Sequence, residues 1–154
     1  MVYFIDELGM DPAVKGWYGR NAFLWACYVG NIERVKFLVE KYTKLINSVD
    51  DHNDNGLHLA AWQGKTDTMV YLIEELGMNP SIKDKYERNI FLQACYYGNI
   101  EIVKYLAENY PKLMNSVDKN NNNGLLLAAI ANKKDTVRYL TDELGMDSAN
   151  EKPT

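Results

Sequence analysis

Two histidines and an aspartate in the first half of the chain are of the residue types that bind metal ions. His52 and His58 flank Asp54, and imidazole and carboxylate groups are common zinc ligands. A tight zinc site needs three or four ligands that converge, and this short group gives no such spacing. We therefore predict no metal site.

Cysteine chemistry and catalytic motifs are not indicated either. Cys27 and Cys95 follow Ala26 and Ala94 at equivalent places of a repeated segment, which favours small buried packing residues over a disulfide or a nucleophile. The chain has no Gly-x-Ser-x-Gly, Walker, Gly-x-Gly-x-x-Gly or Cys-x-x-Cys motif. The sequence predicts a protein without catalytic residues and without a cofactor.

Charge and composition narrow the class of partner. The 154 residues carry a formal net charge of −4, and without a concentrated basic patch nucleic acid is not an expected partner. No apolar run approaches the roughly 18 residues of a membrane-spanning helix, and the N-terminus lacks the basic start of a signal peptide. We expect an intracellular, cytoplasmic protein with no membrane partner, or one in a host cell's cytoplasm if its source is a virus or bacterium.

The chain repeats itself in a long double-repeat unit and, more weakly, in each half of that unit. Residues 20–54 align without a gap on residues 88–122, and most aligned positions are identical. The shorter period is carried by four equally spaced, helix-opening asparagines: Asn21, Asn55, Asn89 and Asn123. Such periods are typical of solenoid proteins, in which stacked repeats bury a core that no single repeat can bury.

Each repeat is predicted to be a helix, a tight turn and a second helix. In the second repeat, Asn55 caps a helix near Gly56 to Gln63, and Gly64 ends it in the left-handed conformation. Gly30 and Gly98 take the same role in their repeats, and the asparagine after each caps the second helix. Pro111 is expected to stop one second helix near Tyr110.

We expect one domain over residues 1–147 and a flexible tail over residues 148–154. The domain divides into a half-repeat and four repeats: residues 1–19, then 20–54, 55–87, 88–122 and 123–147. Residues 1–8 match only a second helix. The chain is therefore expected to begin mid-repeat, as a fragment of a longer array or with a degenerate cap.

Three motifs resemble the ankyrin-repeat signature. Residues 57–64, LHLAAWQG, are similar to the family's T-P-L-H-x-A-A-x-x-G; residues 98–106, GNIEIVKYL, resemble its second helix, and residues 77–84, GMNPSIKD, its hairpin loop. Over residues 1–147 the resemblance implies an all-α, ankyrin-type α-solenoid that binds other proteins. The resemblance also places His58 at the position of the family's structural histidine, which in relatives forms a local hydrogen bond.

The sequence departs from the family where the first helices begin. The family's Thr-Pro is replaced by Asn55-Gly56 and by Asn123-Gly124. Proline pre-organises the first helical turn, whereas glycine loosens it. We expect these helices to form with less rigidity.

In relatives the partner usually lies against a concave surface made of hairpin tips and the exposed face of the first helices. Carried over by position, the resemblance implies a set of partner-binding residues: Trp17, Tyr18, Tyr28, Asp51, His52, Trp62, Gln63, Lys85, Tyr86, Tyr96 and Tyr97. Trp62 and Tyr97 either fill gaps between helices or form exposed anchors of the type enriched at binding hot spots. Trp17 is expected to be exposed, and Trp25 to lie in the core.

The hairpin tips also differ in charge. The second tip carries the acidic residues Asp50, Asp51 and Asp54, and the third is partly basic, with Lys83, Lys85 and Arg88. The tips are either ordinary solvated loops or a graded groove for a polar peptide or a domain surface.

The expected function is a non-catalytic module that binds another protein through its concave surface and tips. One alternative is a structural scaffold that self-associates weakly through its repeat ends. The other is the targeting arm of a larger protein.

Overall fold

The structure, a computed structural model, describes residues 11–147. The half-repeat expected over residues 1–19 lies partly outside this range, and the expected tail over residues 148–154 lies wholly outside it. Between residues 11 and 147 the regular secondary structure is entirely helical, without a strand. The predicted all-α class is confirmed.

Eight α-helices form four consecutive pairs in the described part of the chain. The pairs are α1 (Ala22–Val29) with α2 (Ile32–Lys41), α3 (Gly56–Trp62) with α4 (Thr66–Glu74), α5 (Ile90–Tyr97) with α6 (Ile100–Asn109), and α7 (Gly124–Ile130) with α8 (Lys134–Arg138). Short 3₁₀ segments, Thr43–Asn47 and Pro111–Asn115, follow α2 and α6, and a π-helical turn, Tyr139–Glu143, continues α8.

The chain forms two compact units, Met1–Met78 (unit one) and Asn79–Thr154 (unit two). In unit one α1 packs against α2 and α3, and in unit two α5 packs against α6 and α7. The first helices supply the centre of each core, with Phe23 and Leu59 in unit one and Phe91 and Leu127 in unit two almost fully buried. Burial of side chains this large between neighbouring helices is the main favourable term for folding.

The four first helices begin where the asparagine spacing predicts. The side-chain oxygens of these asparagines accept hydrogen bonds from the backbone N–H three residues later, at 2.9–3.0 Å, in Asn21, Asn55, Asn89 and Asn123. Each bond satisfies a donor that the helix itself leaves unpaired. In α3 the cap is reciprocal, because His58 Nδ1 accepts from the Asn55 N–H at 3.1 Å. The local hydrogen bond expected of His58 is confirmed.

The helix ends also follow the sequence. Gly30, Gly64 and Gly98 have φ values of 81°, 70° and 72°, and Asn132 takes the same left-handed conformation at 60°. Glycine adopts this conformation without a Cβ penalty, and asparagine tolerates it. Helix α6 ends at Asn109, directly before the turn that contains Pro111. The predicted stops are confirmed.

Gly56 and Gly124 have a packing role that the sequence did not indicate. A Cβ on Gly56 would lie 2.7 Å from Cys27 Sγ and 2.8 Å from Phe23 Cε2, and a Cβ on Gly124 would lie 2.7 Å from Cys95 Sγ. These neighbours are fully buried, so any residue with a Cβ, proline included, would collide with the core. The glycines stand here because the first helices of each unit pack closely.

Candidate functional site

Four five-residue turns form the hairpin tips: residues 16–20 and 50–54 in unit one, and residues 84–88 and 118–122 in unit two. In each turn the first residue's N–H donates to the carbonyl of the fifth at 2.9–3.0 Å. The fourth residue always has a positive φ, as in Gly19, Asn53, Glu87 and Asn121. In unit one the Asp51 N–H also donates to the Tyr18 carbonyl, and in unit two the Lys119 N–H donates to the Tyr86 carbonyl.

Three of these turns begin with a buried aspartate, Asp50, Asp84 or Asp118. One carboxylate oxygen of each accepts the backbone N–H groups two and four residues later, at 2.9–3.0 Å. Charge-assisted bonds of this kind are about twice as strong as neutral ones. The aspartates therefore hold the turns closed.

The interpretation of residues 50–54 as an acidic tip is wrong in its main part. Asp50 and Asp54 are only 6% and 5% exposed, and Asp51 alone displays its carboxylate to solvent. Burial inside hydrogen-bonded turns removes the other two charges from any surface that a partner could contact.

Arg20 lies at the centre of an aromatic cluster in unit one. Its guanidinium carbon is 4.8–5.4 Å from four ring centroids, those of Tyr18, Trp25, Tyr28 and Trp62. The ring faces are negative and attract the cation. Arg20 Nε also donates to Asp50 Oδ2 at 3.1 Å, which pairs the buried charge. We refer to these five residues, Arg20 with its four rings, as the Arg20 cluster.

Unit two repeats this arrangement with fewer rings. The Arg88 guanidinium carbon lies 5.5 Å from the Tyr86 ring and 4.8 Å from the Tyr96 ring, and its Nε lies 3.4 Å from Asp118 Oδ2. The places of Trp25 and Trp62 are taken by Gln93 and Ile130. The Arg88 side chain is consequently 20% exposed, against 2% for Arg20.

The predicted partner-binding residues fall into two groups by exposure. The exposed residues are Trp17 (82%), Tyr18 (58%), Tyr86 (41%) and Tyr97 (37%), together with Asp51, Gln63 and Lys85. The half-buried residues are Tyr28, His52, Trp62 and Tyr96. Exposure of Trp17, which the tip position predicted, is confirmed.

The two tryptophans of the first helices, Trp25 and Trp62, are only partly buried. Trp62 contacts Tyr28 edge-on, with ring centroids 5.6 Å apart, and also covers Arg20, so it packs while keeping part of its surface exposed. Trp25 was expected in the core but is only half-buried. It belongs to the Arg20 cluster, with its ring centroid 4.8 Å from the Arg20 guanidinium carbon.

Asp50, His52 and Asp54 bring possible metal-ligand atoms within 4.8 Å of one another. Asp50 already accepts two backbone N–H groups and the Arg20 guanidinium, and the nearby positive charge opposes a cation. The arrangement therefore suits the turn and the Arg20 cluster better than a metal ion.

His58 lies close to Asp54, with its Nδ1 3.9 Å from the carboxylate. Because Nδ1 accepts a hydrogen bond from the Asn55 N–H, this nitrogen carries no proton and does not donate to Asp54.

Cys27 and Cys95 are free thiols with no exposed surface. Burial raises the pKa of both thiols, because an apolar environment disfavours the thiolate. The thiolate is the reactive form, so neither cysteine is suited to nucleophilic chemistry. Their predicted packing role is confirmed by their contacts with the glycines of α3 and α7.

Sequence reasoning missed Arg20 and the turn-closing aspartates as organising residues. Both leave a signal in the repeats. Arg20 and Arg88 hold the same position in the two long units, each two residues after a tyrosine, and Asp50, Asp84 and Asp118 hold one position in successive short repeats. The recurrence of a charged residue at one position of the repeats indicates a structural requirement.

Between residues 11 and 147 no helix is both long and apolar enough to cross a bilayer. A search of the curated proteins finds no match to the chain. The family described as ankyrin repeats (three copies) matches residues 3–84 and again residues 57–152. These matches span nearly the whole sequence and agree with the paired helices, the left-handed helix ends and the hairpin tips. The chain belongs to the ankyrin-repeat family.

Proposed function

We propose that this protein binds another protein through the tips and first-helix faces of its units, the surface that corresponds to the family's concave side. Ankyrin repeats are generally modules for protein–protein interaction, and the family is generally non-enzymatic. The observation that carries the proposal is the exposure of aromatic side chains at the tips and first helices of each unit, above all Trp17 at 82%. An exposed tryptophan is costly to leave in water and is enriched at binding hot spots.

The Arg20 cluster supports this surface rather than contacting the partner with its charge. Tyr18 is 58% exposed, while its ring lies 4.9 Å from the Arg20 guanidinium. A side chain held in this way loses little conformational freedom on binding, which favours affinity. In this proposal the partner meets a preformed aromatic surface, and the protein works in the cytoplasm.

Affinity capture from lysate of the cells that contain the protein, quantified by mass spectrometry, tests the proposal. We expect Trp17→Ala to reduce the recovery of specific partners at least about tenfold, the loss of one hot spot of about 1.4–2 kcal/mol. Glu40→Ala in α2 and Glu108→Ala in α6 are matched controls, because both side chains are exposed away from the tips. Equal recovery by all variants, each folded by circular dichroism, would contradict the proposal.

Self-association is the second candidate, and Ile130, 63% exposed, is the observation that favours it. A shallow groove beside it is lined by Ala129 and Val137 but also by Lys133, Lys134 and Arg138. Two copies that met through this face would bring like charges together, which weakens the pairing. Sedimentation over a concentration series tests self-association, and a monomer at every concentration rejects it.

The alternative that this chain is the targeting arm of a larger protein is tested by the length of the open reading frame.

A further inference from the structure

We propose that the tips of unit two bind an acidic peptide segment of the partner protein. The contacting residues are Lys85, Tyr86, Arg88 and Lys119, which we refer to as the basic tip cluster. This inference rests on the proposed function and names the chemistry of the partner at one part of that surface.

Three cations surround one exposed tyrosine in this cluster. The Lys85 and Lys119 ammonium nitrogens lie 5.3 Å and 6.0 Å from the Tyr86 ring centroid, and the Arg88 guanidinium carbon lies 5.5 Å from it. The Lys119 N–H donates to the Tyr86 carbonyl at 3.0 Å. The two tips that carry these charges are thereby fixed next to each other.

Asp118 is the ion-pair partner of Arg88, at 3.4 Å, but neither aspartate of these two tips lies at the surface. Asp84 and Asp118 are only 7% and 4% exposed, and their carboxylates accept backbone N–H groups within their own turns. Glu87 is the one acidic side chain that these two turns expose. Lys85 and Lys119 are therefore opposed at the surface by Glu87 alone, which leaves the basic tip cluster locally positive although the chain as a whole has a net charge of −4.

The comparison with Arg20 shows why Arg88 is able to meet a ligand. Arg20 is enclosed by four rings and is 2% exposed, whereas Arg88 has two rings and is 20% exposed. Its ion pair is also longer, 3.4 Å against 3.1 Å. Guanidinium presents five N–H donors in a planar fork that matches a carboxylate. Unit two has Gln93 and Ile130 where unit one has Trp25 and Trp62. Part of the Arg88 guanidinium is therefore accessible to solvent.

An acidic peptide fits this cluster better than a nucleic acid does. Four tip residues offer three positive charges, fewer than the 6–10 phosphate contacts typical of duplex binding. The net negative charge of the chain opposes a dense polyanion, but screening over about 10 Å leaves a local patch effective for a few carboxylates. Tyr86 adds an apolar face and a polar tip of the kind that anchors peptides.

A synthetic peptide of about 12 residues that alternates Glu and Gly, labelled with fluorescein, probes this site by fluorescence anisotropy at low salt. We expect wild-type protein to bind it, and binding to weaken as salt is added. Lys85→Glu/Lys119→Glu should weaken binding at least about tenfold, since each reversed charge is worth about 0.7 kcal/mol or more. The matched control, Lys44→Glu/Lys112→Glu, changes the net charge equally at exposed lysines outside the tips and should change affinity less than about twofold.

Two comparison probes complete the experiment: a peptide with Gln in place of Glu, and a single-stranded RNA of equal length. The inference is overturned if wild-type protein does not bind the Glu peptide, if both double variants weaken binding equally, or if the Gln peptide or the RNA binds as well as the Glu peptide. The capture experiment with Trp17→Ala concerns unit one and natural partners. If the peptide does not bind but Trp17→Ala still reduces partner recovery, the acidic-peptide inference is rejected and the proposed function is retained.

Discussion

At the scale of single residues, the glycine that opens α3 shows how a local preference yields to packing. Proline at this position would favour the first helical turn, and glycine has the lower intrinsic helix propensity. Gly56 is nevertheless the residue that fits, because a Cβ would stand 2.7 Å from Cys27 Sγ. The glycine thus allows a closer approach of two buried helices than any other residue would.

We predict that Gly56→Ala lowers the free energy of unfolding by about 1–2 kcal/mol. Overpacking a well-filled core costs about 1–3 kcal/mol, and the better helix propensity of alanine returns at most about 1 kcal/mol. Urea denaturation measures the change. Gly124→Ala, which would meet Cys95 Sγ at the same distance, should behave alike.

A double-mutant cycle with Cys27→Ala isolates the physical cause. Removal of the sulfur takes away the nearest atom, so the double variant should lose less stability than the sum of the two single losses. Additive losses would show that the glycine is required for another reason.

At the scale of elements, the hairpin tips depend on single buried carboxylates. Asp84 accepts the Tyr86 and Arg88 N–H groups through one oxygen and the Gln93 side-chain amide, at 2.9 Å, through the other. The carboxylate thus accepts backbone N–H groups that, in a β-sheet, would bond to the carbonyls of a neighbouring strand. The tips keep a defined shape without a sheet, which allows them to carry binding residues.

We predict that Asp84→Ala destabilises unit two by about 2–4 kcal/mol, since it leaves one buried donor, the Gln93 amide, and two part-buried backbone donors without their charged acceptor. Asp135→Ala is the matched control. Asp135 pairs with Arg138 at 3.2 Å, but its side chain is 88% exposed, and exposed pairs contribute little. Thermal or urea unfolding compares them, and similar losses for the two variants would contradict the structural role of Asp84.

At the scale of the whole molecule, the internal duplication has produced two versions of one arrangement. Arg20 and Arg88 occupy equivalent places and pair with equivalent aspartates. Four rings enclose the first and two rings contact the second. The same position therefore serves mainly stability in unit one, while in unit two it is also accessible to a ligand.

We predict that Arg20→Ala costs about 3 kcal/mol or more and Arg88→Ala about 1–2 kcal/mol. Loss of Arg20 leaves Asp50 buried without its partner and removes the cation from among four rings. Arg88 is 20% exposed, contacts two rings and forms the longer ion pair, so its removal costs less. Chemical denaturation of both variants gives the comparison. Arg20→Lys should not restore stability, because a lysine lacks the planar group that stacks among the rings. Equal costs for Arg20→Ala and Arg88→Ala would show that the aromatic rings do not distinguish the two sites.

The sequence by itself determined the features that depend on a few neighbouring residues. Asparagine caps, left-handed residues at helix ends and the stop before Pro111 follow from local backbone chemistry. The recurrence of the caps at the start of every repeat identified the fold class. Exposure of Trp17 also followed, since a turn tip has little structure around it to bury a side chain.

Only the tertiary structure decided which charges and rings a partner could meet. Asp50 and Asp51 are adjacent and chemically identical, yet one closes a buried turn and the other faces solvent. Trp25, expected in the core, is only half-buried and lies 4.8 Å from the Arg20 guanidinium. Burial and pairing depend on side chains that are distant in the sequence, as Asp50 is from Arg20, 30 residues earlier. A local sequence pattern does not show contacts between residues so far apart in the chain.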